Sequence, residues 1–291
     1  MLRALGTFVA AVIVAAVLQP AASVARAPSL TPHPDRAARD VRSDYNASCY
    51  QKKADKARAS YCKYGQRDAR VKVAVVGDSK TKQYVSALDY AGRTRGWQID
   101  VYSRTGCPLA RYAPAKDRAC TTWNKKVLDR VRDKDYDYVV TGLYHMTVPR
   151  SSTYSSFKKR HARFIEGVRA QIKAYQRSGG PRVILLNAGP MMKRDVPQCI
   201  RKNRSRPSTC DTKRSTALKP KQVWDAASRK ALMRGLVPSK RIISLTGNIC
   251  TSTTCRAVIG RKIVFRDKHH LTDTYVKNRR GFITRKLDRI I

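Results

Sequence analysis

The chain has 291 residues, 42% of them hydrophobic, which allows one large domain or two small ones and excludes a globally disordered chain. Its 61 Lys and Arg face 20 Asp and Glu, for a formal net charge of +41. Charge of that size bears on partners and solubility rather than fold, and it favours polyanions: nucleic acid, anionic lipid surfaces or acidic cell-wall polymers. Residues 1–25 have the layout of a secretory signal peptide. Met1-Leu2-Arg3 is a short basic start, Ala4–Leu18 is an apolar run broken only by Gly6 and Thr7, and Ala21–Ala25 offers small residues for cleavage. The run is short for a spanning helix, which needs about 20 apolar residues. An uncleaved anchor is the lesser alternative, and no stable transmembrane span is expected after cleavage. Residues 26–45, rich in Pro, Ala, Arg and Asp without a period, read as a flexible lead-in.

Residues 46–291 read as one folded domain, opening with a cysteine-stapled segment over residues 46–66. From Val71 onward strands and helices alternate. Val71–Val76 is apolar on both faces and β-branched, as a buried strand requires. A helix follows over Thr81–Arg95, a strand over Trp97–Ser103, a helix over Thr121–Asp133 and a strand over Tyr136–Thr141. The apolar steps of Phe157, His161, Phe164, Ile165, Val168 and Ile172 predict a long amphipathic helix over Ser155–Ser178. Arg182–Asn187 is a fourth buried strand. Lys193–Lys219 is an insertion, Gln222–Arg234 a helix, Arg241–Leu245 a fifth strand and Tyr275–Leu287 a closing helix. This alternation predicts a three-layer α/β/α, doubly wound parallel sheet. In such sheets ligands bind at the carboxyl ends of the strands.

The eight cysteines fall into four sequential couples: Cys49 and Cys62, Cys107 and Cys120, Cys199 and Cys210, Cys250 and Cys255. An even count in an exported chain reads as disulfides, although eight cysteines allow 105 pairings and sequence alone selects none. A zinc site is the rival reading, but there is no C-x-x-C and no His at ligand spacing beside these cysteines.

Gly77-Asp78-Ser79 stands at the carboxyl end of the first parallel strand. One reading of Ser79 is a helix N-cap. The other is a nucleophile beside the free N–H groups of a helix start, where an oxyanion is stabilised. A nucleophilic serine needs a base. Of the five histidines, His33 lies in the lead-in, His161 on a core face, and His145 at a strand end. His269 and His270 lie in a loop near the C-terminus, where Asp267 precedes His270 by three residues. That spacing lets the carboxylate orient the His270 imidazole, and His269 reads as structural or solvent-facing. Lys80 reads as one more lysine, or as a cation at a pocket mouth.

These blocks resemble the SGNH (GDSL-type) hydrolases, and within them the SGNH domain at the extracytoplasmic end of bacterial membrane O-acyltransferases. Gly106-Cys107-Pro108, Val196-Pro197-Gln198-Cys199, Cys250…Cys255-x-x-Val258-Ile259-Gly260 and Asp267-x-x-His270-Leu271-Thr272 before Tyr275 carry the resemblance, which spans about residues 49–290. It implies a flavodoxin-like SGNH hydrolase fold, with Ser79 as nucleophile, His270 as base and Asp267 as its orienting carboxylate. It further implies the Ser79 N–H, and Gly106 as a second donor, for the oxyanion. Lys80 departs from the histidine usual after the serine, and the family's third-block Asn has no clear counterpart after Thr141-Gly142. The membrane acyltransferase portion is not in the chain, so a free-standing domain is expected.

The resulting expectation is an exported serine esterase or O-acyltransferase. It acts without metal or cofactor on acyl, chiefly acetyl, esters of an envelope polysaccharide or glycolipid. The alternative is a non-catalytic, polyanion-binding envelope protein of the same fold. Basic runs such as Arg201–Arg206 come with no nucleic-acid-binding signature, so specific nucleic-acid recognition is not expected.

Overall fold

The computed structural model describes residues 29–45, 47, 49–111, 118–143, 157–187, 189–218 and 234–291, with backbone alone over 157–161. The expected signal peptide, His145, the side chain of His161 and nearly all of the expected helix 222–234 lie outside them. The strands are β1 (Tyr50–Gln51), β2 (Cys62–Gly65), β3 (Val71–Gly77), β4 (Trp97–Arg104), β5 (Tyr138–Leu143), β6 (Arg182–Asn187), β7 (Thr212–Lys213) and β8 (Ile242–Ile243), followed by the two-residue strands β9 (Thr254–Cys255), β10 (Val258–Ile259) and β11 (Lys262–Ile263). Seven of them form one sheet in the order β1-β4-β3-β5-β6-β8, with β2 also pairing along β4. Within this sheet every pairing is parallel except that of β2 with β4.

The chain leaves β3 for β4 on one side and reaches β5 on the other. β3 is therefore the switch point, and its carboxyl end opens the crevice where such sheets bind ligands. Because strand side chains alternate between faces, Val73 and Val75 point to one layer and Ala74 and Val76 to the other. The first layer holds Leu88 and Ala91 of α2 (Val85–Arg95) with Ile283 and Leu287 of the last helix. The second holds Trp123 and Val127 of α3 (Arg118–Asp133) with Val168 and Ile172 of α4 (Phe157–Tyr175). This is the expected α/β/α arrangement.

Disulfides join Cys49 to Cys62, Cys107 to Cys120, Cys199 to Cys210 and Cys250 to Cys255, with Cα atoms 5.4, 5.5, 5.8 and 3.9 Å apart. The first ties β1 to β2 on the β4 edge; the third staples the insertion.

Three expectations need correction. Residues 29–45 do not trail off as a flexible lead-in. Thr31 N–H donates to Arg261 O at 2.8 Å, Ala37 is buried, and Arg42 bridges Asp44 and the buried Asp89. Docking satisfies the Asp89 carboxylate, which sequence could not show. The helix expected over Thr81–Arg95 is two helices, α1 (Ser79–Lys82) and α2. They are separated because the Gln83 side chain accepts from Leu271 N–H and the Tyr84 hydroxyl donates to Asn187 O. The closing helix is likewise split, into Asp273–Asn278 and Arg280–Leu287, and it starts earlier because Thr272 caps it, accepting from Tyr275 N–H at 3.1 Å.

Candidate active site

The turn after β3 is built by Gly77, Asp78 and Ser79. Gly77 has φ of +153°, and a Cβ there would strike the Thr81 hydroxyl, so the position requires glycine. The helix cap belongs to Asp78, not Ser79: Asp78 Oδ1 accepts from Lys80 N–H at 2.9 Å. The Ser79 hydroxyl, on the first residue of α1, is thereby left for another partner. Thr81 Oγ1 accepts from Gly142 N–H at 2.7 Å and ties α1 to the end of β5.

That partner is His270. Its Nε2 lies 2.8 Å from Ser79 Oγ, and its Nδ1 lies 2.6 Å from Asp267 Oδ2. With Nδ1–H donating to the carboxylate, Nε2 is left to accept from the serine hydroxyl. The other Asp267 oxygen accepts from the N–H groups of His269 and His270, both at 2.7 Å. Burial acts to raise the Asp267 carboxyl, but His270 and the two N–H groups outweigh it and hold it well below the usual carboxylate range. Burial, together with the charges of Lys80 and Arg266, lowers His270 below the ordinary imidazole value despite the opposing pull of Asp267. The imidazole is thus neutral, and able to take a proton, at neutral pH.

The turn that carries Asp267 and His270 is pinned on several sides. Arg266 N–H donates to His270 O at 2.9 Å and Met192 N–H to Lys268 O at 2.7 Å. Leu271 N–H donates to Gln83 Oε1 at 3.0 Å. Lys80 is 1% exposed, so it is neither a surface lysine nor a cation at the pocket mouth; its ammonium donates to the His269 carbonyl. Burial lowers Lys80 to about 7, against the attraction of Asp267 and Asp78, and raises Asp78 to about 6. His269 packs against His270 with ring centroids 4.2 Å apart, and burial beside Lys80 and His270 lowers it to about 3. Sequence reasoning missed Thr81, Gln83 and the strut made by Lys80. Nothing in their spacing signals these contacts, which join segments over 60 residues apart.

The Ser79 N–H is an orphan donor of a helix start, and among the described residues no acceptor takes it. Gly106 has φ of +68° and follows β4, whose Ser103 is in register with Gly77. It therefore lies at the same end of the sheet as Ser79. Asp267, His269 and His270 also offer three metal-ligand atoms within 4.8 Å of one another. Both Asp267 oxygens and both His270 nitrogens already hold protein partners, and a buried ammonium adjoins them. This chemistry disfavours a cation.

The family described as "SGNH domain (fused to AT3 domains)" matches residues 48–282, most of the chain. The chain belongs to the SGNH-domain family. In structure, this SGNH domain is similar to the periplasmic domain of the lipopolysaccharide acetyltransferase of Salmonella ser. Paratyphi A. The TM-score is 0.56 at 16% sequence identity, over 76% of this chain and 85% of that one. At that identity the likeness establishes the shared fold. No curated protein matches the chain in sequence. Among the described residues, no helix is long and apolar enough to cross a membrane.

Proposed function

We propose that this SGNH domain is an extracytoplasmic serine esterase or O-acyltransferase acting on acetyl esters of an envelope glycan or glycolipid. The observation that carries the reading is the hydrogen-bonded chain from Asp267 through His270 to a serine hydroxyl that capping does not use. Family membership supports the reaction class, and the Salmonella acetyltransferase suggests the compartment and the substrate class.

In this reading Ser79 Oγ attacks the acyl carbonyl carbon while His270 Nε2 takes the hydroxyl proton. The carbonyl electrons move onto the oxygen, which the Ser79 N–H and a second donor from Gly106 hold. Collapse of the tetrahedral intermediate breaks the ester C–O bond, and the leaving sugar oxygen takes the proton from His270. Water or a second sugar hydroxyl then attacks the acyl-Ser79 ester as His270 takes its proton, and the acyl C–Oγ bond breaks as His270 returns that proton to Ser79 Oγ. Water makes the protein an esterase and a sugar makes it a transferase; the same residues serve both. Asp267 holds the imidazole in orientation and stabilises its charged form.

The test is hydrolysis of p-nitrophenyl acetate and labelling by a fluorophosphonate, in wild type, Ser79→Ala and His270→Ala. Labelling should vanish with Ser79, and turnover should fall by about 10³-fold or more in either variant. A folded wild type that neither labels nor turns over would overturn the reading and favour a binding protein of the same fold.

A further inference from the structure

A groove of roughly 440 Å³ opens beside the Asp267–His270 turn, lined by Lys193, Arg194, Lys202 and Lys268 with Asp195 and Gln198 among them. Its size falls in the range of small-ligand sites, about 300–1,000 Å³. Lys268 belongs to both features: it lies between Asp267 and His269 in the turn and lines the groove. We propose that this groove is a subsite for the anionic groups, carboxylates or phosphodiesters, of the glycan whose ester reaches Ser79. The proposal rests on Ser79 being the nucleophile.

Three observations carry it. The first is uncompensated charge. Elsewhere buried or bridging acids neutralise the cations beside them, as Asp89 does for Arg42 and Arg93, Asp288 for Arg95 and Asp273 for Lys277. Among the described residues, none of the four groove cations forms an ion pair. The one acid lining the groove, Asp195, caps a helix, its Oδ1 accepting from Gln198 N–H at 3.0 Å, and its single charge leaves the cations in excess. Four like charges around one concavity repel one another, and an anion relieves that cost.

The second observation is rigidity. The wall that carries three of the cations is fixed by the Cys199–Cys210 disulfide and by Lys193 N–H donating to Thr212 Oγ1 at 3.0 Å. Asn203 Nδ2 donates to Cys199 O at 2.8 Å, and Met192 N–H holds the Lys268 carbonyl of the opposite wall. A preorganised wall loses little entropy on binding.

The third is position. The cleft between α3 and α4 is also basic, with Arg111, Lys125, Arg132 and Arg177, but it shares no residue with the turn that carries Asp267 and His270. The groove shares Lys268, two residues before His270, and that shared turn is what links a chain held in the groove to the candidate site.

The experiment compares three O-acetylated polymers as substrates: polygalacturonate, a glycerol-phosphate polymer and neutral dextran. The variant Lys193→Gln/Arg194→Gln/Lys202→Gln is set beside Arg70→Gln/Arg177→Gln/Lys240→Gln. The latter removes the same charge from exposed positions ahead of β3, β6 and β8, at the opposite end of the sheet. The groove variant should lower kcat/KM on the anionic polymers by about tenfold relative to dextran, through KM, and flatten the salt dependence. The remote variant should leave that ratio within about twofold, since its charges lie outside screening reach of the groove. Loss on one anionic polymer alone would identify carboxylate or phosphodiester as the group read. An equal loss in both triple variants, or none in the groove variant, would overturn the proposal. Failure of Ser79 labelling would instead sink the catalytic reading. Binding of unacetylated polygalacturonate by the two variants would then still decide whether the groove holds anions.

Discussion

Ser79 Oγ lies 2.8 Å from His270 Nε2 across 191 residues of sequence. Two short elements make that contact: a four-residue helix that Asp78 caps, and a turn held by Arg266, Met192, Gln83 and Lys80. Neither element is stable by itself, since isolated helices of that length do not persist in water. The geometry is therefore a property of the packed sheet end, and it should be sensitive to groups that touch no substrate.

Asp267→Asn is the first such case. The amide accepts one hydrogen bond through its oxygen, but its NH₂ cannot accept from His270 Nδ1–H. The favoured imidazole tautomer is lost, and p-nitrophenyl acetate turnover should fall by about 10³- to 10⁴-fold. A fall of less than tenfold in a folded variant would show that Asp267 does not hold the imidazole.

The pH dependence tests Lys80. His270 acts as a base when neutral, so kcat/KM should rise with pH through its pKa and then level off. Burial, Lys80 and Arg266 lower that pKa beneath the ordinary imidazole value of 6.5, which places the acid limb below pH 6.5. Lys80, at about 7, is still an ammonium there. Lys80→Met removes one cation that disfavours the imidazolium, so the acid limb should move to higher pH. It also removes a donor from the His269 carbonyl, at a cost of about 1–3 kcal/mol in stability. An acid limb that stays in place would mean that Lys80 supports the turn without acting electrostatically on His270.

Gly77→Ala probes the turn from the other side. The added methyl meets the Thr81 hydroxyl, which is engaged with Gly142 N–H. The backbone conformation is itself strained for alanine, by about 1–3 kcal/mol. Urea unfolding should register that loss, and activity should drop further than stability because the Ser79 hydroxyl moves with the turn. Unchanged stability would place the strain elsewhere.

The sequence makes some of these features legible and hides others, for physical reasons. Val71–Val76 and Arg182–Asn187 read correctly because central parallel strands are buried on both faces and so are continuously apolar. Ser79, Asp267 and His270 stood out because their spacing and residue types belong to one chemistry, and the family blocks lie around them in order. The break at Gln83 and Tyr84 was hidden. Both residues are compatible with helix, and the contacts that end it, to Leu271 and Asn187, exist only in the folded state. Lys80 was hidden for the same reason: lysine rarely lies at 1% exposure, and its acceptor is 189 residues away.

Removing a disulfide gives a measure of stability separate from the site. Cys107 and Cys120 close a loop of sequence separation 13. Constraining such a loop in the unfolded chain contributes about 3 kcal/mol. The double variant Cys107→Ala/Cys120→Ala should lose about that much in urea unfolding while keeping its fluorophosphonate labelling. Loss of labelling in a folded variant would show that the bridge also positions Gly106.

Acid sensitivity is the last test, and its sign follows from His269. The folded protein holds this imidazole at about 3, against the ordinary 6.5 of the unfolded chain. Between those values the unfolded state binds the proton and the folded state does not. Stability therefore falls as pH drops below 6.5, by at most about 1.4 kcal/mol per pH unit for one group. His270, also lowered, acts in the same direction. Asp267, held below the ordinary carboxylate value of 3.8, adds a further loss only in stronger acid. The His269 side chain is 24% exposed, so solvent screening reduces its share below the limiting slope. Asp78, raised to about 6 by burial, binds its proton first in the folded state and opposes this loss equally in both proteins. Urea unfolding at pH 7, 6, 5 and 4 should therefore show wild type losing clearly more stability than His269→Gln, which cannot take the proton. Equal slopes would mean that the folded protein admits the His269 proton freely, and that burial beside Lys80 does not keep this ring neutral.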